Sequence, residues 1–178
     1  INNWIQWSSN VGIWTPKNIK GVMSYGGELN INYTIALKKV DFKIKTGLAF
    51  TRTTVTKSLI ENDPAIGNQA TYIPLINTTS SFIIAWNNFV LRYQMLYRGK
   101  QYTSVDNKER TALSAYFMNN ISVWRKTKIK SYSFLVKGEV QNIFDTIYSV
   151  DRNYAMPGRA FYLTLLFNFN LPPPKKGD

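Results

Sequence analysis

The sequence predicts an all-β protein, an antiparallel β-barrel that spans a membrane, and three observations support this. Apolar residues recur with a period of two along most of the chain. Short polar links alternate with long ones that carry Pro, Gly, Asp and Asn. No run of about 18 apolar residues occurs, which excludes a transmembrane helix. A wall of paired strands fits all three, because lipid requires every backbone polar group to be paired.

Along the first four predicted strands, apolar and polar residues alternate, more regularly in some strands than in others. A short opening segment ends at Trp7. Residues 23–37 set Met, Tyr, Leu and Ile against Ser, Glu, Asn and Thr, and residues 42–50 set Phe, Ile and Leu against Lys, Gly and Ala. Residues 79–86 are a weaker member, whose Phe, Ile and Trp face outward. Each pattern gives a strand one apolar face.

The last four predicted strands complete a set of eight. Residues 89–98 alternate Phe, Leu, Tyr and Met with Val, Arg, Gln and Leu. Residues 111–124 alternate less cleanly, because Asn119 interrupts the apolar face. Residues 131–142 set Tyr, Phe and Val against Ser, Lys, Glu and Gln, and from 161 to 169 every second residue is Phe or Leu. The closing strand therefore has the most apolar face.

The links differ in length by end. They are short at 38–39, 87–88 and 126–130, and long at 8–18, 57–72, 103–110 and 149–157. Transmembrane barrels show this asymmetry. Aromatic residues gather near the predicted strand ends, as in the girdles of such barrels: Trp86, Tyr97, Tyr102, Trp124, Tyr132, Tyr148 and Tyr162. A soluble β-sandwich or lipocalin-like barrel also alternates, and remains the alternative on these residues alone.

The amino-acid composition excludes several kinds of active site and metal site. The chain has 178 residues, 22 Lys plus Arg against 10 Asp plus Glu, and neither His nor Cys. Nucleophile pairs that need His, zinc sites of the usual type and disulfides are excluded, so we expect no enzyme and no cofactor. The net charge of +12 does not indicate nucleic acid, because the basic residues form no contiguous surface. The start at Ile1 without Met or signal peptide suggests a mature or truncated piece.

Two stretches resemble the TonB-dependent outer-membrane receptors of Gram-negative bacteria. The C-terminal one contains Asn142, Phe144 and Asp145, then Tyr148, then Pro157, Gly158 and Arg159, and ends in a strand that closes at Phe169. It is similar to the family's Asn-Leu-Phe-Asp pattern, its Pro-Gly-Arg segment and its terminal aromatic. The other runs from Asn18 to Leu29 and includes Tyr25, Gly26 and Glu28, similar to a family strand with an aromatic, a Gly and a Glu.

The resemblance implies a particular place in a larger protein. Family members have a 22-stranded barrel behind a plug domain, so residues 1–171 would be its C-terminal eight or so strands and the plug would be absent from this chain. Residues 172–178 would be a short periplasmic tail. The implied partners are outer-membrane lipid, the TonB-ExbB-ExbD complex through the absent N-terminal part, a possible surface lipoprotein and a small-molecule ligand, with no nucleic acid. The implied location is the outer membrane of a Gram-negative bacterium.

The residues of the C-terminal motif are expected to shape the turn and the strand ends of the barrel more than to contact a ligand. Gly158 after Pro157 would let the chain enter a strand at a non-standard backbone angle. The Arg159 guanidinium could clamp the Asp145 carboxylate across the hairpin. A terminal strand ending at Phe169 resembles the signal read by the outer-membrane assembly machinery.

Ligand contacts are expected in the long links, which the resemblance places outside the cell. The candidates are Trp14, Asn18, Tyr72, Tyr102, Asp106 and Tyr154. The aromatics could stack on a ligand or serve as girdle. Asp106 with Asn107 could hold Ca²⁺ or make a turn, so whether a metal binds stays open.

The ligand and the assembly have alternatives. The segment from Asn3 through Trp14 to Asn18 resembles receptors for cobalamin and related corrinoids, the first choice for the ligand. Ferric-siderophore and haem receptors of the same fold are the alternative. A stand-alone eight-stranded structural barrel is a second reading, although several inward residues are too small to fill its interior. An outer-membrane enzyme is disfavoured by the lack of His.

Overall fold

The computed structural model describes residues 4–10, 13–129 and 132–169. Eight strands form one antiparallel sheet in which each strand pairs with its sequence neighbours. The strands are β1 (Trp4–Asn10), β2 (Ile13–Leu37), β3 (Val40–Ser58), β4 (Ile76–Trp86), β5 (Phe89–Arg98), β6 (Tyr116–Ile129), β7 (Tyr132–Gln141) and β8 (Ala160–Phe169). A 3-10 turn, Glu109–Thr111, lies between β5 and β6. The all-β fold class is confirmed, and the eight predicted strands are found.

Two predicted links are wrong. The described residues of the predicted loop 8–18 lie in strands, because β1 runs to Asn10 and β2 starts at Ile13, and these two residues face each other; residues 11–12 lie outside the described part. Residues 126–130 are not a turn over most of their length, because β6 continues to Ile129. In both places the strand continues beyond its apolar stripe. Backbone pairing maintains a strand there without the alternation that reveals it in the sequence.

The sheet has two chemically different faces, which the strand registers define. On the apolar face, Ile35 of β2, Phe42 of β3 and Ile84 of β4 lie in one row, and the row continues across β5 and β6. Many of its side chains are exposed, including Leu29, Ile31, Phe82, Leu91, Phe161 and Leu163. The opposite, polar face carries Lys, Asn, Ser, Thr and Gln at the intervening positions. The apolar stripe is therefore an outer surface and not a core.

The polar side chains within the apolar face satisfy one another. The Tyr93 hydroxyl donates to Asn119 Oδ1 at 2.6 Å. The Thr46 hydroxyl donates to Ser80 Oγ at 3.2 Å, and Ser80 is buried. Asn119, which interrupts the pattern in the sequence, is thus paired in the sheet.

The predicted girdle is partly wrong. Trp86, Tyr97 and Tyr132 lie on the apolar face towards the ends of their strands. Trp124 and Tyr162 lie on the polar face, where their neighbours in the ladders are Lys137 and Glu139. Tyr102 and Tyr148 lie in links rather than strands. Strand parity decides the face of each ring, and a position near a predicted strand end does not.

The sheet is open along both edges. Over the described ranges β1 pairs with β2 and β8 pairs with β7, and no ladder joins β1 to β8. The stand-alone eight-stranded barrel is therefore not the arrangement observed. No helix in the part of the chain covered by the structure is long and apolar enough to cross a membrane.

Candidate functional site

Three long links meet at one end of the sheet and form what we call the loop cluster: residues 59–75, 99–115 and 142–159. They follow β3, β5 and β7, which all run in the same direction in an up-and-down sheet. The chain between β2 and β3 and between β4 and β5 turns in two residues at the opposite end. The predicted division into a long-link end and a short-turn end thus applies to these links, but not to the one between β1 and β2.

The first two links are tied together by Asn107. Its Oδ1 accepts from the Gln69 amide at 2.8 Å, and its Nδ2 donates to the Gln69 carbonyl at 2.9 Å. Asn107 has a φ of 50°, and its own amide donates to the Ser104 carbonyl at 3.1 Å. The left-handed backbone closes a turn that directs the side chain across to the neighbouring link. Asn tolerates this conformation better than most residues.

Tyr72 joins all three links. Its amide donates to the Tyr102 carbonyl at 2.8 Å, which holds the first link against the second. Its hydroxyl bonds to the Asp151 carboxylate in the third link. Burial raises the pKa of the Tyr72 phenol, and the bond to Asp151 raises it further. The phenol therefore stays protonated and keeps its donor for Asp151.

A small apolar core lies beneath the loop cluster. Val22 of β2, Val55 of β3 and Ala65 are buried together, and Val105 packs against them. Val22 and Val55 belong to the polar-face side of their strands by alternation. The first two links of the loop cluster therefore fold over the polar face of the sheet and not over the apolar face.

Gln101 is the most enclosed large side chain of the loop cluster. With its amide oriented to satisfy both neighbours, it donates to the Tyr72 carbonyl at 2.9 Å and accepts from Arg98 Nε at 3.3 Å. Its backbone also pairs with Leu113 at 2.8 and 3.1 Å. Sequence reasoning missed Gln101, Gln69 and Asp151. An isolated Gln or Asp in a polar link has no pattern that distinguishes a buried tie from a solvated side chain.

Tyr102 lies in an exposed charged group. Its hydroxyl donates to Glu109 Oε1 at 3.1 Å, and Lys100 Nζ lies 2.6 Å from the same carboxylate and 4.9 Å from the Tyr102 ring centre. The Lys100 bond lowers the pKa of Glu109, and Glu109 in turn raises the pKa of Lys100. This arrangement orders the Tyr102 ring at the surface.

Asp106 is paired with Lys108, and this bond lowers the pKa of its carboxyl to about 2. Its Oδ1 is buried and has no hydrogen-bond partner within the described ranges. Asn107 uses its side chain on Gln69, as above, so the pair that the sequence offers as a Ca²⁺ site makes a turn and a loop tie. No group of three or more metal-ligating acidic residues occurs where the structure describes the chain.

The remaining ligand candidates are scattered. Tyr154 is exposed in the third link. Trp14 and Asn18 lie in β2, paired with Ser9 and Ile5, and not in a loop as expected. Their side chains are outside the described part of the chain. Tyr72 and Tyr102 are therefore the only two of the six candidates that a described contact brings together.

The C-terminal motif builds the third link. Asn142 has a φ of 49° and is buried, and its side chain bonds to both the amide and the carbonyl of Thr146 at 2.9 and 3.0 Å. Phe144 is exposed. Asp145 Oδ1 accepts from the backbone amide of Arg159 at 2.8 Å. The expected clamp is thus made by the Arg159 amide, because the chain itself passes within reach of the carboxylate.

Gly158 lies against the Asp145 carboxylate, and its backbone angle is not the unusual one expected from the sequence. It does not have a positive φ, unlike Gly67 at 83°. A Cβ at position 158 would lie 2.9 Å from Asp145 Oδ1. Pro157 precedes it in the link before β8. A side chain at position 158 would therefore require the Asp145 carboxylate to move, and no unusual backbone angle is involved.

The second motif lies in β2. Gly26 passes so close to β3 that a Cβ would lie 2.1 Å from the Phe50 carbonyl oxygen. Tyr25 is half-exposed on the apolar face beside Arg52. Glu28 lies on the polar face and, with Asn30, Asn77 and Thr79, lines a depression of about 310 Å³. Phe169 ends β8, and its side chain is outside the described part.

The polar face below the loop cluster is basic. Lys43 and Lys45 of β3, Arg92 of β5 and Lys137 of β7 alternate with apolar-face residues. Arg92 lies 5.0 Å from the ring centre of Trp124, and its Nε is buried without a hydrogen-bond partner among the described residues. Glu139 is paired with Lys137. The face therefore offers more positive than negative charge to a solute.

Comparisons with known proteins place the fold. No family model and no curated protein matches the sequence. Among solved structures, the chain is similar to the ferric preacinetobactin receptor BauA from Acinetobacter baumannii, with a TM-score of 0.58, 10% identity, and coverage of 82% of this chain and 26% of that one. It is also similar to the ferric yersiniabactin uptake receptor FyuA from Yersinia pestis, with a TM-score of 0.59, 18% identity, and coverage of 84% and 23%. The chain spans about a quarter of each receptor.

Proposed function

We propose that this chain forms part of the wall of a TonB-dependent receptor that takes up a ferric siderophore across the outer membrane of a Gram-negative bacterium. The observation that carries the proposal is the division of the sheet into an exposed apolar face and a basic polar face beneath three tied loops. The fold that it shares with part of two ferric-compound receptors supports the proposal. No chemical step on the solute is implied, so the protein would be a transporter and not an enzyme.

This proposal assigns each surface of the sheet and its links to lipid, to the lumen or to one side of the membrane. The apolar face contacts lipid, the polar face lines a wet lumen, the loop cluster faces the cell exterior, and the short turns face the periplasm. Residues 1–171 would be wall, and the tail 172–178, which lies outside the described residues, would be periplasmic. The plug and the contact with TonB-ExbB-ExbD would belong to another part of the protein. A surface lipoprotein is a further proposed partner.

The charge of the polar face favours an anionic ligand. Lys43, Lys45 and Arg92 attract carboxylate or phenolate groups of an iron chelate and raise its local concentration. Tyr72, Tyr102 and Tyr154 supply aromatic surface above them. Cobalamin, the first choice from the sequence, has less support. Part of the segment that suggested it, Asn3, lies outside the described residues, and neither of the two compared receptors is named for a corrinoid.

Uptake measurements test this proposal. Deleting the gene that encodes this chain should abolish growth on at least one ferric siderophore as sole iron source and leave cobalamin-dependent growth intact, with rescue by the wild-type gene. Lys45→Glu should lower uptake, because it reverses charge on the proposed lumen wall, whereas Lys39→Glu in the short turn is the matched control. Unchanged iron uptake in the deletion, with loss of cobalamin uptake, would favour the corrinoid reading instead.

A further inference from the structure

A glycine on the apolar face of β7 leaves a groove between the neighbouring side chains of β6 and β8. Gly138 lies between Val123 of β6 and Leu163 of β8. Towards the loop cluster it borders a depression of about 460 Å³, and towards the short turns one of about 340 Å³. Val123 and Gly138 line both, so the two depressions form one continuous groove along the strands. We call it the Gly138 groove.

The backbone gives no reason for this glycine. The registers of β7 with β6 and with β8 run through it without a bulge. Gly138 does not have a positive φ, and a Cβ there would meet only Val123 Cγ1, at 4.0 Å. Glycine in a strand interior weakens the strand, and apart from bulges and bends it marks close approach of another group. Since the registers show no bulge at Gly138, a group that approaches the strand from outside accounts for the glycine.

One end of the groove carries a charge. Arg125 lines its short-turn part, and Thr127 follows on the same face. Arg125 is exposed, and its guanidinium lies 4.9 Å from the ring centre of Phe89. Among the described side chains on the apolar face of β4 to β8, Arg125 is the only charged one, and no acidic partner is found for it there. A lone cation at the edge of an apolar surface is a site for an anion held at that depth.

The two features together match one class of ligand. We propose that the Gly138 groove binds a glycerophospholipid of the periplasmic leaflet, with its phosphate on Arg125 and Thr127 and one acyl chain lying over Gly138. From Arg125 to Ile121 the groove extends about 13 Å along the strand, comparable with one leaflet of a roughly 25 Å apolar band. The guanidinium donates hydrogen bonds to phosphate oxygens, and the missing side chain makes room for methylene groups. This inference rests on the orientation proposed above, with the short turns in the periplasm.

The test uses the intact outer-membrane protein with phosphatidylglycerol as the probe. Native mass spectrometry after delipidation measures the bound lipid at increasing phosphatidylglycerol concentration. The wild type should retain one lipid, and Arg125→Gln should weaken its binding about tenfold, because a hydrogen bond to a charged group is lost. Gly138→Leu should weaken it similarly by filling the groove. Arg52→Gln, which removes a cation from the same face near the loop cluster, is the control and should bind as the wild type does.

The outcomes separate the lipid site from the receptor proposal. Equal binding in the wild type, Arg125→Gln and Gly138→Leu would overturn the site, and so would an equal loss in Arg52→Gln. A loss of lipopolysaccharide in place of phosphatidylglycerol from Arg125→Gln would also overturn it, since the groove would then face the outer leaflet. Gly138→Ala, which fills less of the groove, gives an intermediate affinity and replaces Gly138→Leu if that variant does not fold. Siderophore uptake should be unchanged in Arg125→Gln, so failure of either proposal is visible on its own.

Discussion

Removing the Asn107 side chain should open the loop cluster locally and leave the sheet intact. In Asn107→Ala the two bonds to the Gln69 backbone are lost, at about 1 kcal/mol each. The new alanine must also hold a φ of 50°, which costs about 1 kcal/mol more. The free energy of local opening should therefore fall by about 3 kcal/mol, or on the order of 100-fold in the opening equilibrium.

Hydrogen exchange of the Gln69 amide measures this directly. That amide donates to Asn107 Oδ1 at 2.8 Å, so its protection reports the tie itself. Mass spectrometry of a peptide spanning residues 66–71 should show exchange on the order of 100-fold faster in Asn107→Ala. Because the strands do not depend on Asn107, peptides from β5 and β6 should exchange as in the wild type.

Two variants separate the parts of the effect. Asn107→Gly accepts the positive φ and loses only the hydrogen bonds, so its exchange should rise by roughly 30-fold, less than in the alanine variant. Asn153→Ala changes another Asn with a positive φ, 64°, in the third link, and should leave residues 66–71 unaffected. Wild-type protection of Gln69 in Asn107→Ala would refute the role of this side chain as the tie between the two links.

Three further predictions concern the motifs and the acid response. Gly26→Ala should lower the temperature at which the sheet unfolds, measured in the intact protein by its heat-dependent electrophoretic shift, because its Cβ would lie 2.1 Å from a carbonyl oxygen. Gly27→Ala meets nothing within 4 Å and should match the wild type. Asp145→Ala should destabilise the third link by about 1.5–3 kcal/mol in urea, whereas Arg159→Ala should stay within about 0.5 kcal/mol, since the amide is the donor; equal losses would contradict this. The bond to Lys108 lowers the pKa of Asp106 from 3.8 to about 2, so this bond stabilises the second link above about pH 4 and is lost as the pH falls towards 2. Hydrogen exchange at residues 103–111, corrected for intrinsic rates, should become faster over this pH range in the wild type. The same change should be missing in Asp106→Asn.

The fold was predictable to the extent that alternation continues. From Phe161 to Phe167 each second residue faces the apolar side, as the sequence indicates. At residues 8–10, 13–18 and 126–129 alternation fades while backbone pairing goes on, so the sequence predicts links where the sheet has strands. The sequence also places Trp124 in the girdle, because fading alternation after it makes the strand look as if it ends there. Its strand extends five residues further, and its parity places it on the polar face beside Arg92.

The sequence predicts in which links the candidate residues lie, but not which residues they contact. Tyr72 and Tyr102 were expected in long links, and both lie there, joined by a backbone bond of 2.8 Å. Nothing near Asn107 in the sequence indicates Gln69, which lies 38 residues away. A bond of that separation depends on how two loops return from two strands, and side-chain periodicity carries no information about it.

The sequence by itself determined the all-β class, the number of strands, the apolar stripe and the end that carries the three longest links. These follow from side chains two residues apart, a local relation that the chain displays before it folds. Only the tertiary structure decided that Gly26 is needed for close approach to β3 and that Arg159 acts through its amide. It alone also joined Gly138 to Arg125 in one groove. Each of these depends on distances between segments that meet only when the sheet and its loops are assembled.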